Sequence, residues 1–195
     1  MTLQYAQVQK RQIQWFIAVS IVLAAILQLK ADLFIYFQPT MFEQPWRFLT
    51  AHWVHIGWIH YLINALALIC LPLIFPNFKV KWLLMSSVVL PIVLSLVFYF
   101  FYPELAIYAG YSGVLHGLYI IAALESLQHK KERNFGLCIL VGLTAKLIWE
   151  NYIDRESLTT AQLIGSSVWI EAHWFGVLFA ILLWCAYYGI QSKTS

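Results

Sequence analysis

Apolar residues fall into six runs along the 195-residue chain, at about 13–29, 58–75, 80–102, 112–128, 135–153 and 168–190. At about 1.5 Å rise per residue, a helix of 17 residues covers roughly 26 Å and one of 23 residues more than about 30 Å, the thickness of a bilayer's hydrocarbon core. The pattern predicts an all-α fold: a polytopic membrane bundle of six transmembrane helices, forming one domain over 1–195. Pro76-Asn77 after the second run and Pro103 after the third stand where helix breakers are expected. No repeat, low-complexity tract or glycine-serine linker interrupts the pattern, and the short connections leave no room for a soluble domain.

Between the first two runs, the segment 31–57 is too polar to span yet carries Phe34, Tyr36, Phe37, Phe42, Trp46, Phe48 and Trp53. Aromatic residues mixed with polar ones favour the boundary between headgroups and hydrocarbon, so this loop is expected half-sunk in the outer leaflet.

Composition agrees with the pattern: 62% of residues are hydrophobic and 11% charged, against roughly 25% charged in an average soluble domain. The net charge of +3 is scattered in short clusters between apolar runs, not laid out as a stripe interleaved with aromatics, which excludes nucleic acid as a partner and leaves the lipid bilayer. With the N-terminus inside, the inside segments hold Lys10, Arg11, Lys79, Lys81, Lys130, Lys131, Arg133 and Lys193, and the outside ones Lys30, Arg47 and Arg155. Both termini are therefore expected in the cytoplasm. The first run follows Lys10 and Arg11 as a signal peptide would, but Gln28-Leu29-Lys30 is a poor small-residue cleavage site, and a retained helix is expected. Cys70, Cys138 and Cys185 lie inside apolar runs without CxxC spacing and read as core filler.

Ionisable or strongly polar residues inside such runs cost about 2.5–3.5 kcal/mol each at the bilayer centre, so each needs a reason. His60 and Asn64, at i and i+4, share one helix face. They could donate hydrogen bonds to one developing negative charge, or cement helices together, and spacing alone favours the cement. Gly110-Tyr111-Ser112-Gly113 puts a serine at a helix start, where free amides can face an oxyanion. Taken alone, such a serine is more often a cap than a nucleophile. In the last run, Ala172, Gly176 and Ala180 recur every four residues, as Gly113 and Gly117 do in the fourth, and small residues at that spacing let membrane helices approach closely. Packing through these ridges would carry Ser112 toward His173 at a similar depth. A Ser-His pair is enough to begin acyl transfer, with His60, Asn64 and the Ser112 amide as candidates to hold the oxyanion.

His116, four residues after Ser112, is a rival base, but it points along its own helix and is expected beside His173 instead. His52, His55 and His60 suggest metal ligands, yet HExxH and a nearby carboxylate are missing, so neither metal nor organic cofactor is expected. His52 and His55 are read as hydrogen-bonding groups of the outer loop that shape a water pocket. Lys146 and Glu150, at i and i+4, are read as a structural ion pair rather than a proton or substrate path, and Glu125 as snorkelling toward the cytoplasm.

In order and helix by helix, these residues resemble the rhomboid intramembrane serine proteases: Trp46-Arg47 their Trp-Arg motif, His60 and Asn64 their HxxxN, Gly110 to Gly113 their GxSG, and Ala172 to Gly176 their AHxxG. The resemblance runs over roughly 47–180 and implies Ser112 as nucleophile, His173 as general base, and His60, Asn64 and the Ser112 amide as the oxyanion hole. Gly110, Gly113, His116, Gly176, Trp46 and Arg47 are implied supports, although many rhomboids carry an aromatic residue where His116 stands. The small size and GYSGVLHG sequence are similar to the rhombosortase branch, whose substrates are single-pass proteins ending in Gly-Gly, an apolar helix and basic residues. The resemblance further implies a site open to water on the periplasmic or external side of the cell's inner membrane. The alternatives are a catalytically silent rhomboid-like protein that binds helices, and a small proton-coupled transporter using Lys146, Glu150, Glu171 and the histidines.

Overall fold

In hydrocarbon every backbone polar group has to be satisfied within the protein, and a helix does this within its own segment. The computed structural model describes residues 3–153 and 157–194; Arg155, counted above among the outside charges, lies outside them. Among the described residues the helices are α1 (Leu3–Gln28), α2 (Arg47–Thr50), α3 (Trp58–Ile74), α4 (Val80–Phe101), α5 (Ser112–Leu127), α6 (Arg133–Tyr152), α7 (Thr159–Ile164) and α8 (Ile170–Thr194). A short antiparallel ladder joins β1 (Tyr36–Phe37) to β2 (Ile107–Tyr108), with Tyr36 opposite Tyr108. The chain divides into two compact units, Met1–Tyr111 and Ser112–Ser195.

Among the described residues, three helices are long and apolar enough to cross a membrane, over Gln4–Gln28, Val80–Phe101 and Ile170–Gln191. The apolar helices α3 and α5 are shorter, at 17 and 16 residues, and α6 carries Arg133, Lys146 and Glu150 among its 20 residues. The first helix begins well before the expected residue 13, at Leu3. Gln and Lys are good helix formers, and hydropathy marks where a helix meets lipid rather than where it begins.

In the first unit, α1 packs on α3 and α4, and the segment before α3 is tied down as firmly as a core element. Arg47, almost fully buried, donates to the carbonyl oxygens of Asp32 at 3.1 Å and Ile35 at 2.6 Å and to Gln44 Oε1 at 2.7 Å. Trp46 Nε1 donates to the Leu33 carbonyl. The Gln28 side chain closes a pair of bonds with the His55 backbone, at 2.8 and 2.7 Å. Tyr36, Met41 and Phe48 turn inward while Phe42 and Trp46 stay exposed, the split expected of a segment with one apolar side at an interface.

His52 and His55 are buried in this segment. The Ser95 hydroxyl donates to the Phe48 carbonyl at 3.0 Å, so His52 Nε2 acts as donor to Ser95 Oγ, at 3.1 Å. The His55 ring meets His60 and Tyr61 edge-on and, with Ser20, Asn64 and Tyr111, faces a cavity of about 20 Å³, room for about one water. Of the two histidines expected to shape a water pocket, only His55 lines this one.

In the second unit, α5 lies against both α6 and α8. Eleven of its sixteen residues are buried, which is why its apolar residues run all round the helix instead of along one stripe. Gly176 of α8 meets α5 at Gly113: a Cβ placed on Gly176 would collide with the Gly113 carbonyl, whose carbon would be 2.8 Å away. The small-residue ridges therefore do form the contact, with Ala172 and Ala180 fully buried on either side of Gly176.

Two readings are corrected. Glu125 does not snorkel: it is buried and accepts hydrogen bonds from Trp184 Nε1 at 2.9 Å and the Tyr188 hydroxyl at 2.6 Å, donors that replace the water it would otherwise need. Cys138 and Cys185 are exposed and only Cys70 is partly buried. A helix in lipid is apolar on its outer face too, so an apolar run does not separate core from surface.

Two outcomes follow. Gly176→Ala is expected to lower the melting temperature in detergent, at the roughly 1–3 kcal/mol of an overpacked contact, whereas Gly142→Ala, with nothing within 4 Å of the added methyl, should leave it unchanged or raise it. Burial also holds the His52 and His55 rings far below the ordinary histidine value, at about 3 each. Because the unfolded chain takes up protons near pH 6.5 and the folded loop does not, their contribution is complete above about pH 6.5 and drains away as pH falls toward about 3. The melting temperature should accordingly drop between about pH 7.5 and about pH 5, and by less in a His52→Gln/His55→Gln variant.

Candidate active site

The first turn of a helix leaves its amide N–H groups without intrahelical partners, and Ser112 is the first residue of α5. Its side chain is partly exposed. The glycine contact between α5 and α8 fixes what lies opposite: His173, three residues before Gly176 on α8, places Nε2 3.1 Å from Ser112 Oγ. Although 61 positions apart in sequence, the hydroxyl and the imidazole are in hydrogen-bond reach.

The imidazole is held from its other side. His173 Nδ1 lies 3.0 Å from Glu150 Oε2, and the carboxylate's other oxygen accepts from Lys146 Nζ at 2.5 Å. Lys146 Nζ in turn donates to His116 Nε2 at 3.0 Å, and His116 Nδ1 donates to the Ser112 carbonyl oxygen at 2.7 Å. The two imidazoles stack, with centroids 4.0 Å apart and planes 19° from parallel. Five side chains on three helices thus form a closed circuit that starts and ends at Ser112.

Proton positions follow from the partners. A carbonyl oxygen only accepts, so His116 carries its proton on Nδ1 and offers the Nε2 lone pair to the Lys146 ammonium. A carboxylate paired with Lys146 also only accepts, so His173 carries its proton on Nδ1 and leaves the Nε2 lone pair facing the Ser112 hydroxyl. That is the tautomer a general base needs. His116 faces the serine's carbonyl and not its hydroxyl, which removes it as a rival base.

Lys146 and Glu150 do form the expected ion pair, and the pair has a further partner: Glu150 is buried and bonds His173. Sequence alone offered a signal, since an ionisable pair in a membrane helix marks a functional site by default, but not the partner. His116, Glu150 and His173 also bring one potential metal-ligand atom each to within 4.8 Å of one another. The Lys146 ammonium already lies on two of those residues, and a divalent ion would have to displace or repel it.

The other motif residues belong to the first unit. Asn64 Nδ2 gives one hydrogen to the His60 carbonyl at 2.9 Å, and both side chains are buried. Gly110 has φ +143°, and a Cβ there would come 2.7 Å from His60 Cε1, so backbone conformation and space both require glycine. Its amide donates to the Ala51 carbonyl at 3.1 Å, and its own carbonyl accepts from the Tyr108 hydroxyl at 2.9 Å. Trp46 and Arg47 are the ties of the segment before α3 described above.

Comparison with curated proteins finds no match. A model of the Rhomboid domain matches residues 43–189, from the loop before α2 through most of α8. That family generally comprises serine intramembrane proteases and includes inactive members, and its domain together with these apolar helices makes the chain a multi-pass membrane protein. With far more than half of its length inside the match, the chain belongs to the rhomboid family.

Proposed function

We propose that this protein is an active intramembrane serine endopeptidase. The observation that carries the reading is the 3.1 Å approach of Ser112 Oγ to His173 Nε2 in a chain of a family that also has inactive members. A protein kept only to bind helices has no need of a buried histidine in the base tautomer opposite a partly exposed serine.

The chemistry follows from the two atoms. As Ser112 Oγ bonds to the scissile carbonyl carbon, its proton passes to His173 Nε2. When the C–N bond breaks, that proton goes to the leaving amine, and the acyl group stays on Ser112. Water then attacks the ester by the same route in reverse order, with Nε2 again accepting and returning one proton. The charge on the carbonyl oxygen is assigned to the Ser112 amide and, through the HxxxN resemblance, to His60 and Asn64. Each such donor is commonly worth about 3–4 kcal/mol.

All six long helices span in this reading, with both termini cytoplasmic and the site open on the outer side of the cell's inner membrane, as one domain. At about 24 Å, α5 falls short of the roughly 30 Å of hydrocarbon, which sets Ser112 below the outer surface where water has to be admitted to it. Substrates are single-pass proteins, and a helical backbone hides its carbonyls, so the cleaved segment has to unwind. A Gly-Gly site does so readily, which together with the GYSGVLHG sequence favours C-terminal tails of Gly-Gly, an apolar helix and basic residues.

The circuit of Lys146, Glu150, His116 and His173 contains the groups a proton relay would use, and ion flux that survives Ser112→Ala would support transport instead. The direct test is co-expression with a reporter ending in such a tail. Processing is expected in wild type and reduced at least about 1000-fold in Ser112→Ala and in His173→Ala, read from the mass of the product. Equal processing by Ser112→Ala would remove the serine from the mechanism.

A further inference from the structure

The proton transfers just described use two side chains, yet the geometry around His173 accounts for a third. Glu150 is buried with 6% of its surface exposed, in the last turn of a helix read as membrane-spanning. One oxygen faces His173 Nδ1 at 3.0 Å and the other faces Lys146 Nζ. A carboxylate in such surroundings is stable only if both oxygens are used, and here the two are used differently: one by a cation and one by the base.

We infer that Glu150 is a positioning residue of the active site, completing a Ser112-His173-Glu150 triad, and that Lys146 is the brace that aims its carboxylate. The inference rests on the protease reading above and names a residue that this reading does not require.

Three steps support it. First, an imidazole has two tautomers, and only the one protonated on Nδ1 leaves Nε2 able to take the serine proton; an acceptor fixed at Nδ1 selects it. Second, the ring becomes cationic when Ser112 attacks, and a carboxylate already in place stabilises that cation without moving. Third, the stack on His116 and the contact with Glu150 restrain the ring in two directions, from its face and from its edge, so its orientation toward Ser112 Oγ does not depend on substrate. Lys146 contributes by bonding one carboxylate oxygen and His116 at once, which leaves the second oxygen only the His173 side. No proton moves to Glu150 at any step. It accepts the Nδ1–H bond throughout while the proton in transit shuttles through Nε2.

Glu150→Gln keeps the shape and removes the charge, and its amide can donate to Nδ1 and so stabilise the wrong tautomer. Purified in detergent and acting on the Gly-Gly reporter, this variant is expected to lose roughly 100-fold or more in kcat with little change in KM, as an interaction made with the base and not with substrate should. Glu150→Asp, which keeps the carboxylate, should recover part of the loss, and Lys146→Met should cost less than Glu150→Gln. Nitrogen NMR of ring-labelled histidine gives a readout independent of turnover: His173 protonated on Nδ1 in wild type, with that signal lost in Glu150→Gln.

A kcat for Glu150→Gln within about threefold of wild type, while Ser112→Ala is inactive, overturns the triad and leaves the protease standing. A fall in kcat that only follows a fallen melting temperature, with the wild-type tautomer retained, makes Glu150 a packing group and also overturns it. Full activity in Ser112→Ala removes the protease reading itself, and is distinguishable from both.

Discussion

Everything in the candidate site depends on how closely α5 and α8 can approach. Two helices in lipid gain nothing from hiding apolar side chains, since the solvent is equally apolar, so their association depends on contact area and hydrogen bonds. Gly176 against the Gly113 carbonyl gives the first, and the approach it permits makes the second possible: Ser112 and His173, each within three residues of those glycines, come into bonding distance. A methyl group at Gly176 would collide with Gly113 and push Ser112 and His173 apart.

From that contact outward, polar groups are satisfied in a chain that returns on itself. Glu150 bonds both Lys146 and His173, Lys146 reaches His116, and His116 closes on the Ser112 backbone while stacking on His173. Glu150 and His173 are buried and His116 half-buried, and each is satisfied by a neighbour in the circuit, which is how they are tolerated in a hydrophobic unit. The first unit shows the same economy with different chemistry. Arg47 gathers carbonyls from a loop that has little regular structure, Gln28 bonds a backbone amide and carbonyl as a strand would, and Ser95 links His52 to the Phe48 carbonyl.

Much of this was legible in the sequence, and for physical reasons. Helices α3 and α4 end at Ile74 and Phe101, just ahead of Pro76 and Pro103, because proline acts locally. Ser112 and His173 could be paired because small residues at four-residue spacing mark the face a membrane helix turns to its neighbour. Glu150 could not be paired in the same way: an i, i+4 ion pair with Lys146 explains both residues without a third partner, and only the docking of α6 reveals the imidazole beside it. The exposed cysteines and the buried Glu125 were misread for a shared reason. Hydropathy reports that a residue is out of water, and cannot distinguish lipid from protein interior or find the Trp184 and Tyr188 donors 59 and 63 positions away.

The proposed role of Ser112 as nucleophile rests on its contact with His173. The most direct measurement needs no substrate: treat the purified protein with a fluorophosphonate and map the adduct by mass spectrometry, in wild type and in a folded His173→Ala variant. One covalent adduct, on Ser112, is expected in wild type and none in His173→Ala. Folded wild-type protein that takes up no probe at Ser112, or a His173→Ala variant labelled there just as fast, would contradict it.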